Sequence, residues 1–138
     1  MIRIKCLTGP FAGRVREFLG TRLIDPRTGE AGEEINPHSL FASFRLHKWS
    51  WEVDYSEATQ EETVAWFRAD LAARSLRALE RGLPVKFMGR EYRVGPGESV
   101  LEVAGRLEDA IVSSGRMITL DADDEENGVV IGVRGWEQ

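Results

Sequence analysis

Thr59–Gly82, TQEETVAWFRADLAARSLRALERG, is the longest run of helical apolar periodicity in the chain, and its reading decides the fold. Thr59 stands three residues before Glu62. Its hydroxyl can accept from the Glu62 amide while the Glu62 carboxylate accepts from the Thr59 N–H, a capping box. Val64, Phe67, Leu71, Ser75, Ala78 and Leu79 then recur at helical spacing, with Ala65, Ala72 and Leu76 widening the stripe. So broad an apolar face calls for a sheet beneath it. Asp70, Arg74, Arg77, Glu80 and Arg81 fall on the opposite side, and Gly82 followed by Pro84 stops the helix. Two residues break the pattern. Arg68 projects inside the apolar stripe, where it either snorkels past a sheet edge or is held by a carboxylate and addresses a ligand. Trp66 lies near the polar face, either flat on a neighbouring loop or as a surface anchor for a partner.

Working outward, Trp49, Trp51, Val53 and Tyr55 alternate with Ser50, Glu52 and Asp54, which predicts a strand with its odd-numbered face buried. Just before it, Leu40, Ala42, Phe44 and Leu46 alternate with Phe41, Ser43, Arg45 and His47 and read as a strand of the opposite phase. The change of phase at His47-Lys48 predicts a bulge or sharp bend, and makes His47, Trp49 and Trp51 the most site-like cluster on the sheet. Aromatic residues at period two are ordinarily core, so the cluster has a purely structural reading as well. Glu52 and Asp54 could form an acid/base pair or hold Arg68; a solvated strand face accounts for them equally.

Residues 20–39 are rich in Gly, Pro and charge and read as a loop, with turns at Asp25-Pro26 and Thr28-Gly29. Asn36-Pro37 could also open a short helical turn. At the amino terminus, Ile2, Ile4 and Cys6 alternate with Arg3 and Lys5, GPFAG demands a turn, and Arg14–Leu19 returns as a second strand. Cys6 then points inward as a small core residue. This hairpin, LTGPFAGRV and its flanks over residues 7–18, resembles the KOW-type hairpin of ribosomal and transcription-elongation proteins, although Arg16 stands near the place of their usual second glycine. The resemblance implies that Arg3, Lys5, Arg14 and Arg16 would contact phosphates.

Beyond the long helix, Val85–Phe87 and Glu91–Val94 flank Gly89-Arg90, which predicts a hairpin with Phe87 opposite Tyr92 and Val85 opposite Val94. Ser99 and Glu102 form a second capping box, and Val100, Val103, Leu107 and Ile111 supply an apolar stripe. Gly105 within it costs about 1 kcal/mol relative to Ala and leaves room for a close backbone contact. The segment PVKFMGREYRVGPGESVLEVAGRLEDA, residues 84–110, resembles the opening hairpin and helix of β-grasp domains in ferredoxin-like and sulfur-carrier proteins. It implies a fold fragment only, because the cluster-binding cysteines and the terminal Gly-Gly of those families are absent. Met117–Leu120 and Val129–Val133 read as strands joined by DADDEEN, with Asn127-Gly128 as a hairpin signal. The acids Asp121, Asp123, Asp124, Glu125 and Glu126 lack the glycine and distal glutamate of the 12-residue calcium loop, so a solvated turn is expected and no metal site. Trp136 is expected on the outside of the fold or at an interface.

With 138 residues, 42% of them hydrophobic, the chain can bury a real core and reads as one domain, 1–138; a hairpin unit at 1–39 before a body at 40–138 is the alternative division. The net charge of −5 is uneven, since residues 1–48 carry eight Lys/Arg against five Asp/Glu while the remainder is strongly acidic. That balance does not suit a protein that binds nucleic acid through its whole surface. No run approaches a membrane span and the start MIRIKCL is not a secretion signal, so a cytoplasmic location without membrane contact is expected. No G-x-S-x-G, G-x-x-x-x-G-K-[ST], H-E-x-x-H or C-x-x-C occurs, and neither a cofactor nor catalytic residues are assigned.

The fold expected is therefore α+β, a largely antiparallel sheet with two helices packed on one face. The leading functional expectation is a non-catalytic module that binds another protein or its own copy, with His47, Trp49, Trp51, Glu52, Asp54, Trp66 and Arg68 as the binding set. The alternatives are a nucleic-acid factor using Arg3, Lys5, Arg14 and Arg16, and a small enzyme using His47, Glu52 or Asp54 in a cleft.

Overall fold

The two-residue period of a strand puts Ile2, Ile4 and Cys6 on one side of β1 (Ile2–Cys6), and all three are buried. In the computed structural model, which describes residues 1–134, β1 lies between β2 (Val15–Leu19) and β5 (Trp51–Asp54), antiparallel to both. Trp136 lies outside the described residues. The chain divides into two compact units, Met1–Ala73 and Arg74–Gln138. The molecule is α+β, but with two largely antiparallel sheets and three helices among the described residues, where one sheet and two helices were expected.

The first unit holds a five-stranded antiparallel sheet in the order β4-β3-β2-β1-β5. Its strands β3 (Arg22–Ile24) and β4 (Ala31–Glu34) arise from the segment read as a loop. Two local side-chain turns build their connection: the Asp25 carboxylate accepts from the Arg27 amide at 2.8 Å, and the Thr28 hydroxyl accepts from the Glu30 amide at 3.3 Å. Strands this short, with β4 exposed throughout, carry no apolar alternation that a sequence could display.

The stretch Leu40–Leu46 is a helix, not a strand. α1 (Pro37–Leu46) starts at Asn36, whose side chain accepts from the amides of His38 and Ser39, with Pro37 in the first turn. The alternation of Leu40, Ala42, Phe44 and Leu46 was a coincidence of spacing. Phe41 is the residue fully buried, and Leu46 is 76% exposed. The change of phase at His47-Lys48 is the end of this helix. Lys48 takes φ 60°, its amide donates to Arg45 O at 3.0 Å, and the Trp49 amide donates to Phe44 O at 2.9 Å, a Schellman cap with lysine at the left-handed position.

The long helix α2 (Gln60–Glu80) has the capping box expected: Thr59 Oγ1 accepts from the Glu62 amide at 3.1 Å and Glu62 accepts from the Thr59 amide at 2.9 Å. The expected stripe is buried at Leu71, Ser75, Ala78 and Leu79, but a second buried side was missed. Glu62, Trp66, Ala69 and Ala73 are buried along one side, and Leu71, Ser75 and Ala78 along roughly the opposite side, while Val64 is 57% exposed. A helix buried on two sides has no single polar face, so one apolar stripe could not describe it. Asp70, assigned to the polar side, is buried and accepts from the indole N–H of Trp51 and, at 3.5 Å, from the hydroxyl of Tyr55. Trp66 is fully buried: its ring tilts against Phe18 at 4.6 Å and its N–H donates to Gly20 O at 2.8 Å. The core of the first unit is completed by Ile2, Ile4, Phe41 and Trp51, with the last two stacked at 5.3 Å.

The second unit has the sheet order β7-β6-β9-β8, made by β6 (Val85–Phe87), β7 (Arg90–Tyr92), β8 (Met117–Asp124) and β9 (Gly128–Arg134). β6 and β9 run parallel and the other pairs antiparallel. The segment that resembles a β-grasp opening folds as β6, β7 and α3 (Val100–Ser114). The turn between β6 and β7 is Met88-Gly89, not Gly89-Arg90. Both residues have positive φ, as a type I′ turn requires, and this sets Val85 opposite Tyr92 and Phe87 opposite Arg90. α3 has its Ser99/Glu102 capping box and buries Val103, Leu107 and Ile111 as expected. Gly105 faces open space with no close backbone contact. β8 runs four residues past Leu120 with a register shift between Leu120 and Ala122, so Asp121–Asp124 belong to a strand and not to a loop.

Candidate functional site

The register of the first sheet sorts the residues singled out in the sequence. Cys6 pairs with Trp51 and Ile4 with both Val53 and Arg16, all on the inner face; Arg3 pairs with Asp54 and Glu17, and Lys5 with Glu52 and Val15, on the outer face. The basic set Arg3, Lys5, Arg14 and Arg16 is thereby divided. Arg3 is held on the outer face by Glu17 at 2.9 Å and Glu57 at 2.9 Å, and these carboxylates raise its pKa. Arg14 and Arg16 project on the side of Ile4 and Cys6 and have no carboxylate partner among the described residues.

The set His47, Trp49, Trp51, Glu52, Asp54, Trp66 and Arg68 is divided too. Trp51 and Trp66 are core. Glu52 and Asp54 are exposed on the outer face; the hydroxyl and amide of Ser56 bind Asp54 and hold its carboxyl below the usual range. Arg68 is half-buried on α2. His47 and Trp49 remain together, stacked at 4.6 Å with 20° between their planes.

Around that pair a surface is built by two turns. Trp49 follows the cap of α1, and its ring meets Phe44 at 6.1 Å and, edge-on, Phe11 of the β1–β2 turn at 5.8 Å. The indole lies so close over Gly9 that a Cβ there would collide with its five-membered ring, and Gly9 has φ 87°; only glycine satisfies both demands. Thr8 fastens the same turn to the residue before β5 and to the end of β1: its hydroxyl accepts from the Ser50 amide at 2.9 Å and its carbonyl accepts from the buried Cys6 thiol at 3.1 Å. Arg14 lies 5.4 Å from the centroid of Phe11, a cation–π contact.

Beside this surface a cleft of about 250 Å³ opens between the inner face of the sheet and α1. Ile4, Cys6 and Phe18 form its buried floor; Leu40, Phe44 and Trp49 are half-buried in its walls; Arg14 and Arg16 stand exposed at its mouth. Phe11, Leu23, Ile35, Leu40 and Phe44 were not anticipated here. The Asn36-Pro37 signal followed by Leu40, Phe41 and Phe44 at helical spacing could have found the last two. Among the described residues no group of three or more His, Cys, Asp or Glu side chains is placed to hold a metal, and no helix is long and apolar enough to cross a membrane.

Comparison with protein-family models, with curated proteins and with solved structures finds no match to this chain.

Proposed function

We propose that the unit Met1–Ala73 is a non-catalytic binding module that engages a protein partner through Phe11, His47 and Trp49. The observation that carries this reading is the aromatic surface itself. His47 is exposed and stacked, Phe11 is 41% exposed, and both are held against Trp49 by two tightly bonded turns. Aromatic residues presented on a rigid base supply contact area at little cost in side-chain entropy, which suits the centre of an interface. Leu7 at 43% and Leu46 at 76% exposure, close in sequence to the two turns, add apolar surface to this unit.

The other readings have less support. Glu52 and Asp54 share the outer sheet face with Arg3 and Lys5 and are turned away from Trp51, which does not favour acid–base work with His47. A nucleic-acid interface keeps only Arg14 and Arg16 on one face, since Arg3 is neutralised by two glutamates. A reducing, cytoplasmic setting suits the buried, unpaired Cys6.

The test is affinity capture with the intact chain and with a Phe11→Ser/His47→Ser double variant, next to sedimentation at high concentration. Both residues are exposed, so the variant keeps its core. A protein recovered by the wild type and lost by the variant supports the reading, as does self-association that the variant abolishes. Equal recovery by both proteins, or no partner together with a monomer at high concentration, overturns it.

A further inference from the structure

The cleft behind the aromatic surface combines two features that the proposed protein interface does not use. Its floor is the buried inner face of β1 and β2, through Ile4, Cys6 and Phe18. Its mouth carries two guanidinium groups without carboxylate partners among the described residues, in a chain whose net charge is −5. The contrast with Arg3 is direct: one strand position away from Ile4, on the outer face, an arginine of the same hairpin is bonded to two glutamates. An apolar concavity with a few convergent polar groups is the usual form of a small-ligand site.

We infer that this cleft binds a small amphipathic anion, a ligand with an apolar body and a carboxylate or similar head. The body lies on Ile4, Cys6 and Phe18 between Phe44 and Trp49, where removal of apolar surface from water drives binding. The head meets Arg14 and Arg16, whose planar donors match a carboxylate and which have no carboxylate partner among the described residues. The Phe11 ring under Arg14 limits where that guanidinium can point. At about 250 Å³ the cleft is slightly smaller than the roughly 300–1,000 Å³ common for drug-sized ligands, so the body is short. This inference does not rest on the protein-partner reading. Neither arginine is mutated in the capture experiment, and the ligand test below requires no partner.

The experiment titrates the intact, isotopically labelled chain with decanoate, and separately with decanol as its uncharged counterpart, following backbone amide resonances. Saturable shifts at Cys6, Arg16 and Phe44 are expected with decanoate, with decanol binding about tenfold more weakly. Arg14→Gln/Arg16→Gln is expected to weaken decanoate by about the same tenfold and to leave decanol unchanged. Both positions are exposed, and the amide spectrum reports whether the variant is folded. Ser43→Phe, which fills the cleft from α1, is expected to abolish both. Absence of saturable shifts at the floor overturns the proposal. So does equal affinity for decanoate and decanol, which would leave a greasy pocket without anion recognition. Shifts confined to Arg3, Lys5 and Glu52 on the outer face would also overturn it, and so would a short single-stranded RNA that moves the same resonances at lower concentration than decanoate.

Discussion

Glu62 shows how much one side chain can be asked to do. Burial works against its ionisation, but hydrogen bonds from the Met1 ammonium and from the Thr59 and Gly20 amides outweigh it and hold its pKa at about 2. The capping half of this role was legible, because Thr59 and Glu62 are three residues apart. The other half was not, since Gly20 and Met1 reach Glu62 only through the fold. Gly128 is similar. Its place after Asn127 announced a turn, but its necessity is tertiary: with φ 90° it is buried against the carbonyl of Pro84, into which a Cβ would run, and Val129 N–H donates to that same carbonyl at 3.1 Å. Gly128→Ala should therefore destabilise the second unit by roughly 2–4 kcal/mol, read as a lower urea midpoint by circular dichroism. A change within 0.5 kcal/mol would show that the Pro84 contact does not constrain the turn.

Among the elements, α1 was read as a strand, and it is the one the cleft depends on. Ten residues admit both a period of two and a period of 3.6, and the choice was made by the Asn36 cap and by the burial of Phe41. Its terminus stores a correctable cost. Lys48 occupies a left-handed position that a Cβ disfavours, and it is exposed, so Lys48→Gly should raise stability by about 1 kcal/mol without altering the Trp49 surface. Thermal unfolding would register this as a higher Tm; a lower one would mean that the lysine side chain contributes more than its backbone costs. In α3 no close contact forms at Gly105, and a Cβ would meet open space. Gly105→Ala should accordingly stabilise the helix by about 1 kcal/mol, measured as a raised urea midpoint. The capping boxes of α2 and α3 were readable because they are local. The second buried side of α2, at Trp66, Ala69 and Ala73, was not, because what covers it lies outside the helix sequence.

For the molecule as a whole, lowered carboxylate pKa values occur in both units, and they set its response to acid. Glu57 is lowered by Arg3, Glu98 by the Gly95 amide and Arg106, and Asp124 by the Glu126 amide and Asn127. A carboxylate with a depressed folded pKa contributes stability that is present above its unfolded value and is lost as pH falls through the folded value. For Glu62 the window runs from about 4.5 down to about 2, and the contribution is up to about 3 kcal/mol. Urea midpoints should stay level from pH 7 to 5 and fall steadily between pH 4.5 and 2. In Glu62→Gln the neutral-pH midpoint should be lower and that fall shallower. An unchanged acid profile in this variant would remove Glu62 from the account.

The sequence by itself determined what depends on near neighbours: the α+β class, the amino-terminal hairpin with Ile2, Ile4 and Cys6 inward, the capping boxes at Thr59 and Ser99, and the apolar stripe of α3. The tertiary structure alone decided which arginines stand together, that Trp51 and Trp66 are core while Trp49 and His47 form a surface, and that a cleft lies between α1 and the sheet. The physical reason is that side-chain period and capping act over three or four residues. Strand register, by contrast, joins positions such as Ile4 and Arg16 that lie far apart in sequence, and it places a charged residue on the apolar side of a sheet without leaving a mark in either segment.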